Sequence, residues 1–430
     1  MSAARAEPGD ARGSAGPAAT RLVPLLVLVA SVGYLCRVDV TVIAPQLMAE
    51  FHLSQAQIGE VFSAFLLGYT VFQIPSGWLA DRVGTRTLFL ALTAGWAIVT
   101  AAHLAVGIPR WAMAGGALAG LVALRVLFGI LAAPTYPAAG RAIALSVPAP
   151  WQGRANGAVL ASIGIGSAVT PPLLGSIAAR WGWRPALLGA AGLAAFVALI
   201  WGTLAPAGPS PRVAAQGPSG HAPESAWPSP LRRTSFWFLA ASYTLQGYVG
   251  YVFVFWFYLY LVEVRHFDLL RAAWLASLPW LLTLLAIPLG GVASDWAVKR
   301  WGATRGRRSV PMVGLVLSAG LLALGATTRS VPTAVASLAL STALVLASEG
   351  PFWATMTQLS GPHSGTGGGV MNFGSNLGGA ISPVATPWLA AWLGWGTALS
   401  CTALMAVAAA LLWLGVEFPR TDTTATEGLP

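Results

Sequence analysis

Long apolar runs alternate with short polar connections along the whole chain, and each run is close to the ~20 residues a helix needs to cross a bilayer. The runs lie at 22–47, 57–79, 86–107, 112–138, 155–179 and 184–204, then at 235–261, 272–293, 310–328, 333–358, 367–392 and 396–417. Lipid offers no partner to open backbone groups, so these runs predict helices, which satisfy their own N–H and C=O groups. The expected fold is an all-α polytopic membrane protein of 12 transmembrane helices in two six-helix halves. Between the halves, Ala205 to Thr234 holds seven prolines and few large apolar residues, the composition of a linker. The expected organisation is a tail at 1–21, an N-terminal half at 22–204, a cytoplasmic linker at 205–234, a C-terminal half at 235–417 and a tail at 418–430. The first run continues past Arg37 with no small-residue cleavage site, so it reads as a transmembrane helix and not as a signal peptide.

Composition agrees with this pattern. Hydrophobic residues make up 56% of the chain and charged residues 9%, against about a quarter charged in soluble proteins. The net charge of +10 does not mark a nucleic-acid binder, because the basic residues sit in short connections and form no basic face. Cys36 and Cys401 both fall inside apolar runs, which argues against a disulfide framework or a zinc site. No metal cluster, nucleotide loop or acid–base pair near a loop stands out, so no cofactor and no enzymatic activity are expected.

Twelve spans place both termini on one side, and positive charge decides which side is cytoplasmic. With the termini inside, the inside segments hold 16 of the 24 Lys and Arg and the outside loops hold 6. Arg37 and Arg125 lie within spans. The expectation is a cell-membrane protein with both termini cytoplasmic.

The two halves repeat. Gly77-Trp78-Leu79-Ala80-Asp81-Arg82-Val83-Gly84-Thr85-Arg86 ends the second span, and Gly291-Val292-Ala293-Ser294-Asp295, followed by Lys299, Arg300 and Gly302, ends the eighth. Gly77 and Asp81 recur as Gly291 and Asp295 at an offset of 214. Gly157, Gly166, Pro171, Gly182 and Trp183 recur as Gly369, Gly378, Pro383, Gly394 and Trp395 at an offset of 212. An even number of spans separates the copies, so the repeat is parallel, one of the architectures of secondary transporters.

With these motifs in place the chain resembles the major facilitator superfamily over nearly its whole length, tails and linker apart. Gly77–Arg86 resembles the loop motif of that family, with a degenerate second copy. A narrower resemblance is to the anion:cation symporter branch. It rests on Tyr34-Leu35-Cys36-Arg37-Val38, on Phe65–Pro75 with Tyr69 and Gln73, on Arg125–Pro137, on Glu349-Gly350-Pro351-Phe352-Trp353, and on Gly368–Pro383 with Asn372 and Asn376. The resemblance implies transport of a small organic anion, such as a sugar acid, together with a proton or sodium ion. Members commonly carry Asp before the first-span arginine, where this chain has Cys36, and Glu seven residues after the fourth-span arginine, where it has Ala132. Those acids are associated with proton coupling, so their replacement either removes proton symport or moves it elsewhere.

A charge inside a bilayer costs about 2.5–3.5 kcal/mol or more, so each needs a reason. Arg37 lies ~22 Å along its helix, past the midplane. A transported carboxylate is one partner for it, through two parallel N–H···O contacts; main-chain carbonyls that fix helix packing are the other. Tyr34, three residues earlier, shares its face. On the second span Tyr69 and Gln73 can bond substrate hydroxyls, or they belong to a packing stripe with Phe62 and Phe65. Arg125 begins a stripe with Gly129, Ala132 and Tyr136 that suits substrate contact, packing or gating. Asp39 is either the missing acid moved by one turn or a structural carboxylate; two residues from Arg37, it points away from it. Glu349 is the sharper coupling candidate, since Pro351 removes a backbone donor and predicts a bend or unwinding there. It either exchanges a proton or holds the two half-helices through backbone bonds. Phe352 and Trp353 are expected to wall the pocket, with Asn372 and Asn376 along the cavity as the resemblance places them.

Asp81 and Arg82 end the second span, and the N-terminus of the eleventh begins on the same side, where a carboxylate is favoured. Asp295 would meet the start of the fifth span in the same way. Contacts of this kind close the cytoplasmic side and favour the outward-open state. The leading functional reading is a secondary transporter of a small organic anion, with the lipid bilayer, the anion and a proton or sodium ion as partners. An uncoupled facilitator or exporter of another solute is the alternative, and a membrane-embedded enzyme or sensor is the distant one.

Overall fold

A computed structural model describes residues 17–108, 116–206, 230–360 and 364–418. The tails, most of the linker and the 109–115 connection lie outside the described residues, as does the side chain of Asp81. In chain order the helices are α1 (Pro17–Phe51), α2 (Gln55–Arg82), α3 (Thr85–Ala102), α4 (Gly116–Ala132), α5 (Thr135–Ser146), α6 (Ala149–Trp181) and α7 (Trp183–Leu204). They continue with α8 (Thr234–Leu259), α9 (Leu269–Trp301), α10 (Ala303–Thr327), α11 (Val331–Ala347), α12 (Glu349–Ser360) and α13 (Ser364–Leu412). No strand occurs among the described residues.

Ten stretches among the described residues are long and apolar enough to cross a membrane. The longest, Gly367–Gly415, turns at Gly394 (φ 80°, ψ 157°) into two rods. With α2, 28 residues from Gln55 to Arg82, the bundle has the 12 rods the sequence pattern predicts. Two rods are broken. α4 and α5 are separated at Ala133–Pro134, and α11 and α12 at Ser348, beside the Gly350-Pro351 pair that predicted a break.

The repeat extends into the turns. The α1–α2 turn places His52 at φ 54° and caps α2 with Ser54, whose side chain accepts from the Gln57 N–H at 3.2 Å. The α8–α9 connection places His266 at φ 56° and caps α9 with Asp268, which accepts from the Arg271 N–H at 2.9 Å. Side-chain oxygens at these caps satisfy backbone donors that no helical carbonyl reaches. Each pair is again 214 residues apart. Gly182 and Gly394, both at positive φ, form the second matched pair of turns.

Small residues set the helix spacing, as is usual where lipid removes the hydrophobic drive for association. A Cβ at Gly166 would press on the Ser31 carbonyl and one at Gly378 on the Thr244 carbonyl, so α6 lies on α1 as α13 lies on α8. Gly59 and Gly175 make the equivalent approaches between halves, to Pro383 and Ala273. The Ser63 hydroxyl donates to the Ala380 carbonyl at 2.6 Å, and the Ser277 hydroxyl to the Ala168 carbonyl at 2.7 Å. These contacts between halves cluster toward the end carrying the α1–α2 turn. Phe62 adds to them, stacked on Phe255 at 5.1 Å and edge-on to Trp256 at 5.6 Å. The lipid-facing surface is apolar, with Trp392 75% and Leu404 68% exposed.

Candidate functional site

Arg37 sits in the middle of the bundle, 6% exposed. Among the described residues no carboxylate lies within ion-pair distance of it. Aromatic rings surround its guanidinium: Phe65 at 4.7 Å from the ring centre, Tyr34 at 4.9 Å, Tyr69 at 5.2 Å and Tyr251 at 5.4 Å. Such faces attract a cation through the ring quadrupole but accept no conventional hydrogen bond. Nη2 donates to the Tyr251 hydroxyl from the opposite half, while Nε is buried with no partner.

A polar chain runs on from there. The Tyr251 hydroxyl donates to Asn376 Oδ1 at 3.1 Å, Asn376 Nδ2 donates to the Asn372 carbonyl at 2.9 Å, and Asn372 Nδ2 donates to Gln73 Oε1 at 2.6 Å. Arg37, Tyr34, Tyr69, Gln73, Asn372 and Asn376, all marked in the sequence, are thus brought together on α1, α2 and α13. Tyr251 on α8 joins them and was not marked. The repeat held a signal for it, since Tyr34 and Arg37 shifted by 214 land on Tyr248 and Tyr251. Arg37 and its counterpart in the other half therefore touch across the pseudo-twofold axis.

Glu349 opens α12 at the break. It accepts from the Tyr243 hydroxyl at 2.8 Å and from Gln246 Nε2 at 2.9 Å. Trp353 Nε1 donates to the same Tyr243 oxygen at 3.2 Å. Tyr243, Gln246 and Tyr251 form one face of α8 at helical spacing. α8 is apolar and aromatic on all sides, so no stripe singled that face out. Phe352 packs between Tyr243 and Trp413, each at 4.9 Å, within the helix contacts of the C-terminal half.

Arg125 and Asp39 form a separate arrangement. Arg125 Nη1 lies 3.1 Å from Asp39 Oδ1, and both side chains are 1% exposed. Nη1 also donates to the Cys36 carbonyl at 3.2 Å, and Nη2 donates to the Arg37 carbonyl. Asp39 thus points away from Arg37, as its spacing requires, and faces α4. Phe65 lies within cation–π reach of both guanidiniums, 4.7 Å from Arg37 and 5.4 Å from Arg125.

At the opposite end from the α1–α2 turn, Arg82 is exposed. Asp295 is 65% exposed and receives Arg307 of α10 at 2.7 Å, a contact within its own half.

A family model described as Major Facilitator Superfamily matches residues 26–383. Over 380 residues the chain is 31% identical to a probable sulfoacetate transporter of Cupriavidus necator, covering 86% of each chain. It is 30% identical over 324 residues to a probable galactarate/D-glucarate transporter of Bacillus subtilis, covering 70% of each. Its fold is similar to that of a bacterial homologue of the human lysosomal transporter Spinster in the inward-facing, occupied conformation. That match has a TM-score of 0.79 at 19% identity, covering 94% of this chain and 97% of the other.

Proposed function

The chain belongs to the major facilitator superfamily, and from that premise we propose that it is a cation-coupled secondary transporter of a small organic anion. Membership makes it a multi-pass membrane transporter of a small solute, not an enzyme. The observation that carries the finer reading is Arg37, a buried guanidinium with no carboxylate to neutralise it among the described residues. A carboxylate or sulfonate supplies the charge and the paired acceptors this group lacks. The relatives named for sulfoacetate and for galactarate and glucarate support such a cargo. Tyr34, Tyr69, Gln73, Asn372 and Asn376 line the same place and suit the hydroxyls of a sugar acid. Arg125 serves this site from behind α1. The 16 to 6 division of Lys and Arg supports both termini lying in the cytoplasm of a bacterial-type cell membrane. The closed α1–α2 end then faces outward, and Asp81, Arg82 and Asp295 belong to the cytoplasmic gate.

Coupling falls to Glu349. Its hydrogen bonds come from neutral donors, and no cation among the described residues holds it charged, so a proton can be taken up and released there. Asp39 is tied to Arg125 and is the weaker candidate.

Uptake into liposomes of sulfoacetate, galactonate, galactarate and glucuronate, with and without proton and sodium gradients, tests this reading. Saturable uptake of at least one anion, unchanged chemically and driven by a cation gradient, is expected. Uptake confined to neutral or cationic solutes overturns it. In the same vesicles Glu349→Gln is expected to lose accumulation driven by a pH gradient, by about tenfold or more as general acid–base positions do when removed, yet keep exchange of labelled for unlabelled anion. Undiminished accumulation would assign coupling to another group.

A further inference from the structure

A hydrogen bond at the centre of the bundle joins two repeat-related residues. Arg37 Nη2 donates to the Tyr251 hydroxyl, and the two positions are 214 residues apart, the offset that relates the halves. Tyr251 belongs to α8, and its ring stacks on Phe255 at 5.8 Å, which in turn stacks on Phe62 of the N-terminal half. The bond therefore lies among the contacts that close the α1–α2 end. It is also where Arg37 meets a neutral acceptor, beside the ring faces of Tyr34, Phe65 and Tyr69.

A buried guanidinium without an acceptor carries a large desolvation cost. A carrier that returns empty must close around Arg37 with nothing bound to it. The geometry points to Tyr251 as the stand-in for the transported anion: its hydroxyl satisfies Arg37 when the carrier closes the α1–α2 end without cargo. With cargo, the anion takes the guanidinium and itself bridges to the C-terminal half. This rests on the reading of Arg37 as the anion's partner. Both two-bond edges of a guanidinium, Nε with Nη2 and Nη1 with Nη2, include Nη2, the nitrogen that Tyr251 holds. Nη2 carries one hydrogen for each edge and the Tyr251 hydroxyl holds one of them, so an anion taking that edge with two parallel bonds displaces the hydroxyl, the charge-assisted bond being the stronger of the two. Tyr251 is thus a positioning residue, acting on the empty carrier.

Tyr251→Phe keeps the ring, its stacking on Phe255 and its place beside Arg37, and removes only the hydroxyl. The test is the distance between spin labels at Ala49→Cys and Leu270→Cys, exposed positions at the α1–α2 end, one in each half. It is measured on the full chain in nanodiscs with no anion added. In native sequence the short-distance, closed population is expected to dominate. Tyr251→Phe is expected to lower the closed-to-open ratio about tenfold, the loss expected for one hydrogen bond to a charged group. Arg37→Ala should not lower it further when added to Tyr251→Phe, because the two act as one contact. In vesicles the same Tyr251→Phe variant should keep exchange of the transported anion while net uptake falls. A merely structural role would lower both together. Distance populations in Tyr251→Phe equal to native overturn the inference. Because that measurement needs no anion, its failure is separate from a failure of anion binding to depend on Arg37.

Discussion

Arg37→Ala is expected to abolish anion binding to the purified transporter. Truncating one partner of a buried, hydrogen-bonded charge pair costs about 2–5 kcal/mol, roughly 30-fold to a few thousandfold in affinity. The upper part of that range applies here, because no second free cation stands at the site among the described residues. The described rings about Arg37 are Phe65 and three tyrosines, all neutral, and Arg125 is already neutralised by Asp39. Arg37→Lys separates charge from shape. It keeps a cation but replaces a rigid fork with a point charge on a flexible stem, so it is expected to retain weak binding, at least tenfold poorer than native. Isothermal titration of the reconstituted protein with the anion identified by uptake measures both variants. Native affinity in Arg37→Ala would remove the guanidinium from the binding site and with it the argument for an anionic cargo.

The fold was legible because the forces that set it are local and periodic. Apolar runs of bilayer length give helices one at a time, and the matched turns at His52 and His266 and at Gly182 and Gly394 carry the repeat. The α11–α12 break was readable from Pro351, since the loss of a backbone donor is a property of one residue. The site was legible in part. Arg37, Tyr34, Tyr69 and Gln73 carry polar chemistry that is rare in a membrane, the family resemblance places Asn372 and Asn376 along the cavity, and these side chains meet. Tyr251 and Gln246 were not legible, because α8 is apolar and aromatic on every side and only tertiary packing selects the face turned inward. The Asp39 partner was hidden for a related reason. Helical spacing alone shows that Asp39 cannot face Arg37, but which residue it does face depends on how α4 lies against α1, 86 residues away. The gate at Asp81 rests on sequence, and its counterpart Asp295 is seen beside Arg307 of its own half.

The buried Asp39–Arg125 pair carries the largest expected effect on stability. Arg125 donates to Asp39 and to the main-chain carbonyls of Cys36 and Arg37. It therefore fixes the backbone of α1 at the residue whose side chain faces the cargo. Asp39→Asn removes the counter-charge and leaves the guanidinium buried, which costs about 3–5 kcal/mol for pairs of this kind. Arg125→Gln leaves the carboxylate buried instead and should cost a similar amount. The double variant Asp39→Asn with Arg125→Gln removes both charges, so its loss is expected to be smaller than either single loss, a coupling opposite in sign to simple addition. Thermal unfolding of the four proteins in one detergent measures this. Additive losses would mean that each charge is solvated independently, and the pair would then not be a clamp on α1. Binding gives the second half of the test. In the double variant the two introduced amides retain some hydrogen bonding to each other but release the Arg37 carbonyl, so affinity for the anion should fall even where stability recovers. That separation ties binding to what Arg125 holds on α1 and not to the stability of the fold, and Asp39→Asn, which keeps Arg125 and its donors to the Cys36 and Arg37 carbonyls, should lose less affinity than either variant that lacks it.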